Sequence, residues 1–189
     1  MIPITQTKSS LKNSKGESIQ HGNCWAAAIA SILELPLTEV PNFEVWFEWD
    51  DGFWWDLTIR FLIKKKHKLR YNNDFRVFHP ELAIDWFNET EGKNPDGLPF
   101  ELWAEITRDS LQDQYYFVSG LSHRGVSHVT IWQNGKMVHD PHISRDGILE
   151  LTSFQQIVPL SDEEITNSLD YKNNYQRGFP SFSKNYTAE

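Results

Sequence analysis

The chain has 189 residues, 39% of them hydrophobic, with 8 Trp, 12 Phe and a formal charge of −8. That length fits one domain, or one domain with a tail, and that apolar share fills a sizeable core. The acidic balance excludes a dedicated nucleic-acid binder, which needs a broad phosphate-neutralising surface.

No apolar run approaches the roughly 20 residues needed to span a bilayer. The single cysteine excludes an internal disulfide framework. Met1 to Gly16 is polar and lacks the apolar stretch of a signal peptide. Together these features predict a soluble, cytoplasmic protein that acts neither on nucleic acid nor at a membrane.

Residues 1–18 read as a loose polar arm, 19–160 as the folded domain and 161–189 as a polar tail. After the arm comes Gln20-His21-Gly22-Asn23-Cys24-Trp25, with turn and N-cap residues just ahead of the cysteine. The run Ala26-Ala27-Ala28-Ile29-Ala30 then continues through Ile32 and Leu33 with almost no polar interruption. It predicts a helix from about Cys24 to Leu35 that is apolar all round and therefore buried. The N-terminal end of such a helix carries Cys24 to a surface or cleft, where the helix dipole favours thiolate.

Phe43 to Trp55 is dense in aromatics and acids, including Trp46, Trp49, Trp54 and Trp55. These rings either fill the core or wall a cleft, where Trp25, Trp49 and Trp54 would hold substrate by stacking and cation–π contacts. Helical periodicity runs from Trp54 to Leu69, ending in the basic run Lys64-Lys65-Lys66-His67-Lys68, read as a solvated helix face. Weaker periodicity recurs at 80–87 and 99–106.

The second half reads as strands at 115–120, 127–132 and 136–139, with further strands at 148–151 and 155–160. Asn134-Gly135 is a strong hairpin signal. Helices followed by an antiparallel meander make an α+β order, with the buried helix bearing Cys24 packed on the sheet.

Among the seven histidines, His128 opens the strand Val129-Thr130-Ile131-Trp132. The hairpin around Asn134-Gly135 returns through His139 to Asp140-Pro141, which brings His139 or Asp140 to His128 across its open end. A carboxylate on one imidazole nitrogen fixes the tautomer while the other nitrogen faces a thiol. Cys24, His128 and Asp140 thus read as nucleophile, base and orienting acid.

Gly22-Asn23-Cys24-Trp25, the buried helix behind it and the Ser127-His128-Val129 strand resemble the papain-like cysteine peptidase superfamily. The stretch from His128 to Asp140-Pro141 is most similar to its bacteriocin-processing C39-type and C39-like branch. The resemblance covers Gln20 to Pro36 and Tyr116 to Gly147, and implies a papain-like α+β fold in a small stand-alone bacterial or phage protein. It further implies a hydrolase, namely a thiol protease, isopeptidase or amidase, that acts on a peptide or protein substrate through a thioester and needs no cofactor.

The family places a glutamine upstream of the cysteine to bind the oxyanion. Gln20 is the nearest match here, at a shorter spacing, with Asn23 or the Cys24 amide as further donors. Trp25 stands where the C39 pattern has Gly.

Two other readings stay open. A catalytically silent papain-like protein would use the cleft to bind or inhibit a partner. A metal-binding protein would draw on His128, His139, Asp140 and His142, with Cys24 as a sulfur donor.

Overall fold

The computed structural model describes residues 1–16, 18–43, 53–72 and 111–166. Two short strands, β1 (Leu11–Lys12) and β2 (Ser18–Gln20), pair in an antiparallel ribbon. Helix α1 (Cys24–Ile32) follows, then a 3-10 turn (Leu37–Glu39) and helix α2 (Phe53–Lys64). The main sheet is built from β3 (His67–Asn72), β4 (Tyr116–Leu121), β5 (Ser127–Gln133), β6 (Lys136–His139) and β7 (Glu150–Pro159). Its strands lie in the order β3-β7-β4-β5-β6, and every described pairing is antiparallel. The architecture is therefore α+β, with helices on an antiparallel sheet.

Helix α1 is the buried element its composition predicts: Trp25 through Ser31 are all buried. It packs on β5, sharing a core with Phe117, Val129, Ile131 and Ile157. Side chains alternate across a strand, so on β4 Phe117 faces the helices while Tyr116 and Val118 join Phe154 in a second cluster behind the sheet.

The helix stops at Ile32, shorter than expected, because Glu34 turns left-handed (φ 55°) and the amides fold back. Leu35 N–H donates to the Ala30 carbonyl and Glu34 N–H to that of Ser31, the hydrogen-bond pattern of a Schellman stop.

Three expectations are corrected. Helix α2 ends at Lys64 rather than running to Leu69. Lys66 takes a left-handed conformation (φ 61°), and residues 67–72 become edge strand β3, paired with β7 from His67↔Pro159 to Asn72↔Phe154. A lysine-rich sequence suits an edge strand as well as a helix face. Two lysines of the basic run are paired, Lys65 with Glu39 and Lys68 with Glu164.

The strands expected at 148–151 and 155–160 are one strand, β7, and it crosses over to lie between β3 and β4 instead of extending the meander. The leading arm, finally, is docked. Ile2 and Gln6 donate main-chain N–H groups to the Ser31 and Pro141 carbonyls, and Ile4 donates to Ser31 Oγ. The weak helical patterns at 80–87 and 99–106 lie outside the described residues, as do Trp46, Trp49 and most of the tail. No helix among the described residues is long and apolar enough to cross a membrane.

The β5–β6 hairpin closes as predicted. Asn134 and Gly135 both take positive φ (51° and 75°), which suits the right-handed strand twist. Gly135 N–H donates to the hydroxyl of Tyr116, which is fully buried; that burial pushes the Tyr116 pKa up to about 12, against a small downward pull from the Gly135 bond. The turn is thereby tied to β4.

Candidate active site

Cys24 is the first residue of α1 and is half-buried at its N-terminal end. The Asn23 side chain does not cap that end; Asn23 contributes its carbonyl, which accepts from Ala27 N–H. The first-turn amides therefore have no intrahelical partner. Cys24 opens into a cleft of about 770 Å³, within the usual range for ligand sites. Trp25 and Trp54 wall it, and His21, Gly120 and His128 contribute to its lining.

His128, 4% exposed, stands on the second residue of β5, held by main-chain pairing to Gly120 of β4. Its Nε2 bonds to Asp140 Oδ1 at 2.7 Å, which leaves Nδ1 for its interaction with the Cys24 side chain. Burial alone would lower the imidazole pKa. The bonds to Asp140 and Cys24 outweigh it and hold the group up at about 9, so His128 is an imidazolium at neutral pH.

Asp140, 3% exposed, lies just beyond β6. Its Oδ1 also accepts from His142 N–H (2.7 Å), and its Oδ2 accepts from Gly147 N–H (2.8 Å). Burial works to raise its pKa, but the His128 bond and these two amides bring it down to about 2. The Asp-Pro turn is thus also the turn that shapes the carboxylate: one Asp140 oxygen closes the loop at His142 and grips the imidazole.

His139 does not orient His128. Its Nε2 donates to the Ile4 carbonyl, and its Nδ1 faces Arg145. His142 bonds Ser9 and Ser144, with its ring edge-on to His128 at 6.1 Å between centroids. Both are held below the ordinary imidazole range. Burial is the first cause for each, and the nearby Arg145 (for His139) and Arg124 (for His142) add to it. Among the described residues no group of three His, Cys, Asp or Glu side chains is placed to hold a metal ion.

The side chains expected to bind an oxyanion are engaged elsewhere. The Gln20 amide donates to the Ser9 carbonyl. Asn23 is buried, with Oδ1 accepting from Thr7 N–H (3.0 Å) and Lys8 N–H (2.9 Å) and Nδ2 donating to Thr7 Oγ1 (2.9 Å). It clamps the arm to the head of α1, which leaves the backbone amide of Cys24 as the remaining donor of the three expected.

The Trp25 ring is a core member as well as a cleft wall. It lies 4.8 Å from Phe117 and 6.1 Å from both Trp54 and Trp55, and its Nε1 donates to Thr58 Oγ1. Trp54 reaches both core and cleft; Trp49 is outside the described residues. Sequence reasoning did not single out Ser10, Lys12, Gly120 or Gln155, all of which line the cleft. Lys12 Nζ donates to the Gly125 carbonyl, joining the arm to the β4–β5 turn. None of the four carried a local signal, because long-range strand pairing and the docked arm bring them there.

Comparison with family models, with curated proteins and with solved structures finds no match to this chain.

Proposed function

We propose that the protein is a cysteine-dependent acyl-transfer hydrolase of papain-like type, acting on a peptide or protein substrate in the cytoplasm without a cofactor. One observation carries the reading. A buried imidazole bonds a buried carboxylate through one nitrogen and interacts with the chain's single thiol through the other, in a cleft at a helix N-terminus. Nucleophile, base and orienting acid, each from a different element, form the relay that covalent catalysis by a weak nucleophile requires.

The chemistry follows from the positions. The proton on His128 Nδ1 is the one Cys24 gives up, so the reactive form is a thiolate facing an imidazolium, and its sulfur attacks a substrate carbonyl carbon. The new oxyanion faces the first-turn amides of α1. Collapse breaks the carbon–nitrogen bond, and the departing amine takes the proton from His128. Water then attacks the thioester, giving up a proton to His128, and the thiolate is expelled as the free acid leaves, which restores the ion pair. Asp140 keeps the ring oriented and stabilises its charge throughout. An amine in place of water would make the same site a transferase.

The test is the rate of Cys24 alkylation by iodoacetamide at pH 6, in the wild type and in His128→Ala. Alkylation follows the thiolate fraction. A rate at least about tenfold lower in the variant supports the reading, at a loss typical for a missing base. Equal rates overturn it and favour a protein that uses the cleft only to bind.

A further inference from the structure

Beyond the triad, one cleft residue has chemistry the reaction does not use. Gln155 sits on β7 opposite Phe117, on the helix-facing side of the sheet, amid Trp25, Ile131 and Ile157. It is 6% exposed, lines the same cleft as Cys24 and His128, and its Oε1 has no hydrogen-bond partner among the described residues. A buried carbonyl oxygen left unpaired costs about 1–3 kcal/mol, so its place beside Phe117 calls for an explanation. Gln6 and Gln156 also carry unpaired buried Oε1 atoms, but neither lines the cleft.

We infer that the Gln155 carboxamide is a substrate-positioning group that accepts a hydrogen bond from a main-chain N–H of an extended peptide bound in the cleft. The inference rests on the hydrolase reading above. His128 pairs with Gly120 and Gln155 with Phe117, three residues further along β4. At about 3.3 Å per residue the two levels are roughly 10 Å apart, the length of three residues of extended peptide. The terminal amide torsion of glutamine is soft, so Oε1 turns toward an arriving donor at little cost. The donor belongs to the acyl side, because that half stays bound through the thioester and must be held while water attacks. Ser119 and Ser153, cross-strand partners on the same cleft floor, extend the polar strip along which such a chain would lie.

The probe is acetyl-Ala-Ala-Phe chloromethyl ketone, which alkylates Cys24 as the thiolate sulfur displaces chloride and His128 keeps its proton. Each of its three amide nitrogens is N-methylated in turn, and inactivation rates are compared in the wild type, Gln155→Met and Gln155→Glu. The expected result is that one N-methyl position slows the wild type about tenfold, the worth of one hydrogen bond. That penalty vanishes in Gln155→Met and persists in Gln155→Glu, which keeps an acceptor, with each rate taken relative to the same variant's iodoacetamide rate. Should Gln155→Met not fold, Gln155→Asn, whose amide is one methylene shorter, replaces it in the comparison. A wild-type scan with no sensitive position, or a sensitive position indifferent to residue 155, overturns the inference. Failure of the hydrolase reading looks different, because iodoacetamide would then be insensitive to His128→Ala.

Discussion

Asp140 grips His128 through a 2.7 Å bond between side chains that are 1% and 2% exposed, and two main-chain amides hold the same carboxylate in place. Such a pair cannot lose one member cheaply. Asp140→Asn keeps the shape but removes the charge that sustains the imidazolium. The expected outcome is a stability loss of about 3 kcal/mol, at the lower end for breaking a buried pair. Cys24 alkylation at pH 6 should also slow at least about tenfold, because the orienting carboxylate is gone. Denaturant unfolding and alkylation kinetics on the same preparation check both; an unchanged midpoint would mean that the pair contributes nothing to folding.

The two shifts also set a pH window. The folded His128 pKa of about 9 lies above its ordinary 6.5, so its stabilisation is complete below pH 6.5 and is lost as pH rises through 9. The folded Asp140 pKa of about 2 lies below its ordinary 3.8, so its stabilisation is present above pH 3.8 and is lost as pH falls through 2. The stability advantage of wild type over His128→Gln should therefore be greatest between pH 4 and 6.5 and shrink steadily toward pH 9. His139 and His142 act in the opposite sense, since a depressed imidazole pKa costs stability as pH falls below 6.5. Unfolding midpoints at pH 5, 7 and 9 test the signs, and an advantage that grew with pH would contradict them.

These groups were legible in the sequence because their signals are local. A cysteine ahead of an all-apolar run, a histidine opening a strand and an Asp-Pro after an Asn-Gly hairpin each depend on neighbours within a few residues. The position of β7 between β3 and β4 depends on partners 29 to 92 residues away, and its composition does not encode them. Residues 67–69 suit a helical reading because lysines are tolerated in either conformation, and pairing with β7 decides the choice. The arm looked loose because its docking uses backbone amides, satisfied by Asn23 and Ser31, which leave no hydrophobic periodicity.

Asn23 separates two roles that the sequence could not. As a clamp, its carboxamide takes the amides of Thr7 and Lys8 and gives one bond back to Thr7. Asn23→Ala should raise hydrogen exchange at those two amides about tenfold or more and cost about 1–3 kcal/mol, the price of leaving buried partners unpaired. If the side chain instead served the oxyanion, kcat on an amide substrate would fall about a hundredfold with exchange in the arm unchanged.

Gly120 lies opposite His128 on β4, where β7 makes an irregular step between Ser119 and Gly120. A methyl group added there would overlap the main-chain carbonyl of Glu150 and press on Ile148 Cγ2. Neither is the far end of a flexible side chain, so relief requires moving the start of β7, which also contributes to the cleft. Gly120→Ala should therefore cost about 2–3 kcal/mol, toward the upper end for overpacking, and slow Cys24 alkylation as the His128 strand shifts. Gly16→Ala is the control: nothing lies within 4 Å of the added carbon, and only its positive φ (82°) opposes the change. That strain is worth about 1 kcal/mol, and Cys24 reactivity should not change. Equal losses at the two glycines would mean that close packing at Gly120 plays no part in holding the site.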